Sequence, residues 1–308
     1  MNPLDKFRIY YNHTMHPELM RMERKRVRLL RLLFFSGLAL TGVIIFELNI
    51  SILPLTLTMG IFIALYLIYL GYEVRRFLQT FKPNVLNLLL TFISAEPNMG
   101  KMTYDAKRLI PKSTFFDSKI FATDAQIYEG EDYISGRVGE MDFELCELNV
   151  RDFSVVRNRT NYVFKGVFLH AIFPEDVRGN IVIWPREFKQ YLSRSIREFT
   201  WMGGENVDEE VLNPAFRAMF MTFATDDTHV VGILSDPMQE AIIEYCNTTG
   251  KEIYISFLGK NIYLAVTEPR DLLEPYIFRT NLSFELVRGF WRDLELLIKI
   301  VQDFDQTH

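Results

Sequence analysis

Cysteine is almost missing from this chain. Among 308 residues only Cys146 and Cys246 occur, which excludes a disulfide framework and a four-cysteine zinc site and fits a reducing compartment. Histidine is nearly as scarce, with five, and no His-Glu-x-x-His spacing is present to place two imidazoles on one helix face around a metal. No Gly-x-Ser-x-Gly surrounds a serine, and neither a Walker lysine loop nor Gly-x-Gly-x-x-Gly occurs, so the local signatures of a serine hydrolase, a P-loop and a dinucleotide fold are all lacking. Charge is missing where it matters most: residues 32–72 carry only Glu47. The rest is ordinary for a folded protein, with 49% apolar and 24% charged residues, which rules out disorder as the main theme.

The charge-poor stretch reads as two apolar runs, Leu32–Phe46 and Ile52–Tyr72, parted by Glu47-Leu48-Asn49-Ile50-Ser51. At ~1.5 Å per residue the second run is long enough for a ~30 Å hydrocarbon core. The first becomes so if Leu29 and Leu30 extend it and Arg31 snorkels to the headgroups. A transmembrane helical hairpin is therefore expected. A buried hairpin of a soluble protein normally has a polar face, which these runs lack, and no small-residue cleavage site follows a short apolar core as in a signal peptide.

Orientation follows from basic residues close to the spans, which are preferentially kept in the cytoplasm. Arg21, Arg24, Lys25, Arg26, Arg28 and Arg31 precede the first run, Arg75, Arg76 and Lys82 follow the second, and the connection between the runs has none. Both termini are expected on the cytoplasmic side, with Arg24, Lys25, Arg26, Arg28, Arg31, Arg75 and Arg76 as the topology determinants. The arm Met22–Arg31 also suits anionic lipid. Five Asn-x-Ser/Thr triplets, at Asn12, Asn49, Asn158, Asn247 and Asn281, suggest a glycosylated exterior; the basic flanks outweigh them.

Beyond Pro83, Asn84–Ser94 is an apolar helical stretch too short to span, suited either to the membrane interface or to packing beneath a soluble domain. Residues Pro97–Pro111 read as a loop with one helical turn. From Ser118 to Trp184 the apolar period is two, the mark of an antiparallel meander: Ile120–Tyr128, a turn at Gly130-Glu131-Asp132, Tyr133–Val138, then Met141–Leu148 with Asp142 and Glu144 on a wet face. Tyr162–Phe173 is apolar on both sides and is expected to be central and covered, and Gly179–Trp184 closes the run. A short helix is expected around Arg186–Ile196 and a glycine loop at Met202–Asn206, while Phe216–Thr225 has helical spacing in Phe216, Met219, Phe220 and Phe223 but the aromatic and Thr content of a strand, the reading preferred here. Asp236-Pro237-Met238-Gln239 reads as a helix start capped by the Asp236 carboxylate, with Gly250 as the stop. Ile253–Leu258 and Ile262–Val266 flank Gly259-Lys260-Asn261 as a hairpin. Ser283–Phe304 is a long amphipathic helix whose stripe of Phe284, Val287, Trp291, Leu294, Ile298 and Val301 docks on the sheet or serves self-association.

The order of three features resembles a known family: a double-spanning N-terminus, Tyr128-Glu129-Gly130-Glu131-Asp132-Tyr133-Ile134-Ser135-Gly136, and Phe164-Lys165-Gly166-Val167-Phe168. Ile233-Leu234-Ser235-Asp236-Pro237, Ile253-Tyr254-Ile255-Ser256-Phe257 and Ile262-Tyr263-Leu264-Ala265-Val266 continue the pattern. The chain is similar to the bacterial domain-of-unknown-function family DUF3137 over roughly residues 73–270 plus the hairpin. The resemblance implies an inner-membrane protein with a cytosolic α+β domain, sometimes encoded near LemA-type membrane proteins, which makes such a protein a candidate partner. It implies no activity and transfers no catalytic residue.

The chemistry is sparse. His170 on an apolar strand reads as a satisfied core residue, and Cys146 and Cys246 as small buried hydrophobes. The clusters Glu129-Gly130-Glu131-Asp132, Asp208-Glu209-Glu210 and Asp226-Asp227 lack the alternating spacing of a calcium loop and read as solvated faces. Beyond residue 72 acidic residues outnumber basic ones by 35 to 26, which disfavours nucleic acid. No catalytic residue, metal or cofactor is assigned. The expected class is α+β: a basic cytoplasmic arm (1–31), two transmembrane helices (32–72), a juxtamembrane helix and linker (73–117), and a cytosolic domain (118–308) with an antiparallel meander and a helix-hairpin-helix end. The expected function is a membrane-anchored binding or scaffold module that touches the lipid bilayer and an unidentified protein. The rival is an enzyme or lipid-handling protein at the membrane face, for which a polar cluster of histidine and carboxylates converging in one cavity is the discriminating feature.

Overall fold

The computed structural model of the protein describes residues 3–50, 53–154, 159–174, 179–187, 192–226, 228–270 and 273–307. Contacts divide the chain into two compact units, Met1–Phe92 with Leu273–Arg288, and Ile93–Leu272 with Gly289–His308. The division by contact thus differs from chain order, because the segment before the last helix joins the N-terminal unit.

The N-terminal unit is helical. Helix α1 (Pro3–Tyr10) passes through one wide π-helical turn (Tyr11–Met15) into α2 (His16–Ile50), and α3 covers Leu53–Ile93. Phe7, Tyr11, Met15 and Leu19 are buried at every fourth position; the wide turn absorbs the drift that such a spacing accumulates in a 3.6-residue helix. Glu47–Ile50, expected as a loop, continue α2, and Ser51 of that loop lies outside the described residues. The two helices run antiparallel: Phe7 lies against Phe92 with ring centroids 5.4 Å apart, and the Tyr10 hydroxyl donates to the Leu88 carbonyl at 2.9 Å.

Asn84–Ser94 is not a separate helix, since α3 runs through Pro83 to Ile93. A proline inside a helix costs about 3 kcal/mol. Burial of Val85, Leu86, Leu89 and Leu90, at roughly 1.5–3 kcal/mol per side chain, offsets it. The segment 273–288 is fixed to these helices by polar contacts. Arg26 pairs with Glu23 through two bonds of 2.9 and 2.6 Å and donates to the Ile277 carbonyl at 2.7 Å, while Lys82 meets Glu274 at 3.0 Å. Asn281 is buried, its amide exchanging two 2.8 Å bonds with the Tyr276 backbone. That triplet is an internal staple, whereas the one at Asn158 lies outside the described residues.

The second unit is built on an antiparallel sheet. Its strands are β1 (Thr103–Asp105), β2 (Ile127–Val138), β3 (Met141–Ser154), β4 (Arg159–Ile172), β5 (Asn180–Pro185), β6 (Gly204–Asn206), β7 (Phe220–Thr225), β8 (Ile253–Leu258) and β9 (Asn261–Thr267). Among the described residues the order is β1-β2-β3-β4-β9-β8-β5-β7-β6. The meander is therefore real from β1 to β4 and ends there. β9 returns beside β4, and β5, expected to close the run, pairs instead with β7 and β8.

β4 is central as expected, between β3 and β9. Gly166 makes that contact feasible: its φ is +152°, and a Cβ there would lie 2.0 Å from the Val266 carbonyl oxygen. The β8–β9 hairpin turns at Gly259-Lys260 as its sequence foretold.

Several local expectations fail for physical reasons. Gly130-Glu131-Asp132 is not a turn but an irregularity inside β2, where the register shifts between Glu131 and Ile134 and Asp132 takes a φ of 59°; turn-forming residues also suit a bulge. Ile120–Gln126 is not strand. It packs on one sheet face as a plug, with Ile120 and Phe121 buried; Trp184 Nε1 donates to the Ile120 carbonyl at 2.9 Å and Ala122 N to the Ser195 hydroxyl at 2.9 Å. Residues 103–105 form an edge strand where a loop with a helical turn was expected. Gly204–Asn206 also form a strand, β6, rather than a loop.

The helices of this unit are α4 (Lys112–Asp117), α5 (Leu192–Trp201), α6 (Pro214–Met219), α7 (Val230–Ile233) and α8 (Asp236–Thr249), with α9 (Phe284–Thr307) contributing to both units. Of the helix expected at Arg186–Ile196, residues 188–191 lie outside the described residues and α5 starts later, at Leu192. Phe216–Thr225 combines both of its readings, ending α6 and then forming β7. The cap of α8 is Ser235, whose side chain accepts from Met238 N, so Asp236 is already inside the helix; Gly250 terminates it in the left-handed region at φ 67°. α9 is enclosed more widely than its stripe suggests, because Leu296, Leu297 and Ile300 are buried beside Leu294 and Ile298. A polar knot fastens it. Buried Asp293 receives Lys251 Nζ at 2.8 and 2.6 Å and the Tyr245 hydroxyl at 2.5 Å, and Lys251 also meets Glu268 at 2.7 Å.

Candidate functional site

The apolar plug covers one sheet face only in part. Cys146 and Leu148 on β3 and Phe164 and Phe168 on β4 lie in the same buried cluster as Phe115, Ile120 and Phe121. Two residues further along each strand the same face carries Glu144 and His170, which directly oppose each other in the β3–β4 register. The alternation on β3 correctly places Asp142 and Glu144 together, but the face is wet only at its start. The side chain of Asp142 is 65% exposed and that of Glu144 22%, while Cys146 is sealed.

At this margin the polar groups converge. His170 Nδ1 lies 3.1 Å from Glu144 Oε1, and Nε2 lies 2.9 Å from Asn261 Oδ1. The Tyr133 hydroxyl donates to Glu144 Oε2 at 2.7 Å, and the Arg108 guanidinium sits 4.0 Å above the Tyr133 ring. Tyr263, opposite His170 on β9, stacks on the imidazole with centroids 4.9 Å apart and planes 14° from parallel. Each ring nitrogen thus has a polar partner, one on β3 and one at the start of β9. The His170 bond holds the Glu144 carboxyl below its ordinary range against the cost of burial, helped by the Tyr133 bond. Burial and the adjoining carboxylate push the Tyr133 phenol up to about 12.

Tyr133, Glu144 and His170 form one wall of a cleft of about 490 Å³, with Lys101, Ser135 and Arg137 also on its lining. Arg137 is held by Asp142 in a two-bonded pair at 2.7 and 3.0 Å, and Ser135 shares a 2.8 Å bond with Thr103. No hydroxyl or thiol is aligned with His170 as a nucleophile among the described residues. Cys146 is buried away from the cleft, its sulfur accepting from Ile110 N at 3.3 Å, and desolvation pushes its thiol up to about 12. The arrangement can bind, orient and share protons.

His170 is thus satisfied, as expected for a strand histidine, yet it belongs to a cleft wall and not to the core. The missed signal is the register. Glu144 and His170 were each visible, but their opposition depends on the β3–β4 pairing. Asp132 also departs from the solvated-face reading: it is buried, accepts from the Tyr104 hydroxyl at 2.5 Å, and lies with Glu131 and Glu147 so that their carboxylate oxygens fall within 4.8 Å of one another. Three oxygens are fewer than the roughly six to eight that calcium takes. The topology determinants sit elsewhere. Arg24, Lys25, Arg28 and Arg31 are exposed on α2 and Arg75 and Arg76 on α3, whereas Arg26 is buried in its pair with Glu23.

These features define a mixed helix and antiparallel-sheet protein, with long apolar helices at its N-terminus, a sheet domain after them and a closing helix. Residues 162–306 match the family model described as "Protein of unknown function (DUF3137)", and the chain is a DUF3137 domain-containing protein. No curated protein matches the chain in sequence. A likeness to the crystal structure of the mycobacterial trehalose monomycolate transport factor A, TtfA, covers 63% of this chain and 88% of that one at 8% identity and a TM-score of 0.31, too low to carry an argument.

Proposed function

We propose that this protein is a membrane-anchored binding module whose sheet cleft takes a small polar ligand on the cytoplasmic side. The carrying observation is the Glu144–His170 pair, fixed from both flanks by Tyr133 and Asn261 at the wall of a 490 Å³ cleft, a volume within the ordinary range of ligand sites. Anchoring is supported by two helices long and apolar enough to cross a membrane. Their apolar side chains point outward, with Phe34 69%, Phe62 72% and Ile68 70% exposed, an arrangement that water penalises and lipid does not. The basic residues flanking both runs support cytoplasmic termini.

Lys101 brings an ammonium group to the cleft lining beside His170, which favours an anionic ligand. Thermal unfolding of the full-length protein in detergent is the test, with inorganic phosphate, succinate and citrate as probes. At least one raises the midpoint of the wild type and leaves His170→Gln unmoved. Equal shifts in both proteins, or none in either, overturn the reading. Retention of the wild type in the membrane pellet after alkaline extraction tests the anchor separately.

An enzyme is the second reading, favoured by the phenol–carboxylate–imidazole chain, whose groups are those that move protons. Turnover of a cleft ligand that is lost in Glu144→Gln separates catalysis from binding.

A further inference from the structure

Lys25, Arg28, Leu29 and Leu32 form one face of α2, spaced by three, four and seven residues, and Tyr66, Leu70, Glu73, Phe77, Thr80 and Asn84 repeat on one face of α3. The two faces enclose a cavity of about 650 Å³. We propose that this cavity binds an anionic phospholipid, its phosphate held by Lys25 and Arg28 with Arg76 at the rim, and the start of an acyl chain lying along Leu29, Leu32 and Leu70.

Polarity runs along the cavity. Because the helices are antiparallel, Lys25 lies toward Thr80 and Asn84, while Leu32 lies toward Tyr66 and Tyr69. One end is therefore cationic and hydrogen-bonding and the other apolar, the sequence of properties along a phospholipid from headgroup to chain. A free phosphate ion uses only the first half.

Positive charge at the polar end is only partly compensated. Lys25, Arg28 and Arg76 share the cavity with one carboxylate, Glu73, which lies 3.9 Å from Arg76. Among the described residues no carboxylate pairs with Lys25 or Arg28. A second cavity of about 440 Å³ shares Lys25 and Asn84 and adds Arg21 and Glu18, extending the polar end away from the apolar runs.

The level is also right. Arg31 is the last charged residue before the charge-poor stretch and Glu73 the first after it apart from Glu47, so the cavity straddles the boundary at which headgroups lie if the helices span. This point rests on the anchoring proposed above.

Native mass spectrometry of the full-length protein in mild detergent provides the test, with phosphatidylglycerol or phosphatidylcholine of equal chain length added. Two variants lose the same charge: Lys25→Gln with Arg28→Gln inside the cavity, and Arg31→Gln with Arg75→Gln outside it. The wild type and the outside variant are expected to retain phosphatidylglycerol, and the inside variant to lose about tenfold in occupancy. Phosphatidylcholine is held weakly by all three, and inorganic phosphate does not displace the bound lipid. Equal retention by both variants, equal retention of the two lipids, or displacement by phosphate overturns the proposal. Alkaline extraction keeps the two readings apart: wild type in the pellet with equal adducts on both variants defeats the lipid site alone, and wild type in the supernatant defeats the anchor.

Discussion

Lys251 grips Asp293 through both carboxylate oxygens, at 2.8 and 2.6 Å, joining the foot of β8 to the middle of α9. Asp293 is 1% exposed and its carboxyl is raised by burial against the pull of Lys251. The pair is worth little against an apolar replacement, but removing one member strands the other. Asp293→Ala is expected to destabilise the protein by about 3–5 kcal/mol, and Tyr245→Phe, which removes one hydroxyl from the knot, by about 1 kcal/mol. Denaturant titration followed by tryptophan fluorescence checks both.

The cleft wall should contribute to the acid sensitivity of the fold. The bond to His170 holds the Glu144 carboxyl below the ordinary glutamate range in the folded protein, so its contribution is fully present above that range and is lost as pH falls through the lower folded value. The stability difference between wild type and Glu144→Gln is therefore expected to be constant from neutral pH down to the ordinary carboxylate range and to shrink below it. Unfolding midpoints across pH 3 to 7, about the window set by that shift, test the sign. A difference that grows on acidification refutes it.

Gly166 has no room for a methyl group. A Cβ there would strike the Val266 carbonyl oxygen and the Glu268 amide nitrogen, at 2.0 and 2.7 Å. Gly166→Ala should cost about 3 kcal/mol or more through strain and separation of β4 from β9, read as a fall in unfolding midpoint. Gly203, also at positive φ (+91°) but with open space around it, gives the smaller loss on the same substitution.

Ser235, and not Asp236, caps α8. Ser235→Ala is expected to lose about 1 kcal/mol, and Asp236→Ala only the weaker interaction of a first-turn carboxylate with the helix dipole, about 0.3–1 kcal/mol. The ranking in a pair of melting curves decides the point.

What the sequence made legible was local. The charge-poor runs became long helices, the turn read at Gly259-Lys260-Asn261 became a hairpin with Asn261 already in β9, and the two-sided apolar pattern of β4 marked a central strand. What it hid depended on partners distant in the chain. Nothing near Ile262 says that β9 slots beside β4, because antiparallel register between remote strands is fixed by packing, not by a turn. The same holds for the site: Glu144 and His170 meet only when β3 and β4 pair in one register. The glycine and acids at 130–132 looked like a turn because turns and bulges recruit the same residues. Ser235 and Asp236 are both good caps, and which of them leads is set by where the preceding backbone turns extended.

The segment matched to the family begins at Tyr162, partway along β4. A recombinant fragment started at that residue would discard the whole of β3 and leave a long bare rim of amide and carbonyl groups, backed by greasy residues such as Phe168 and Leu169. Such a rim templates its own kind, so material cut at the family boundary is destined to clump, and a soluble piece has to start upstream of Thr103.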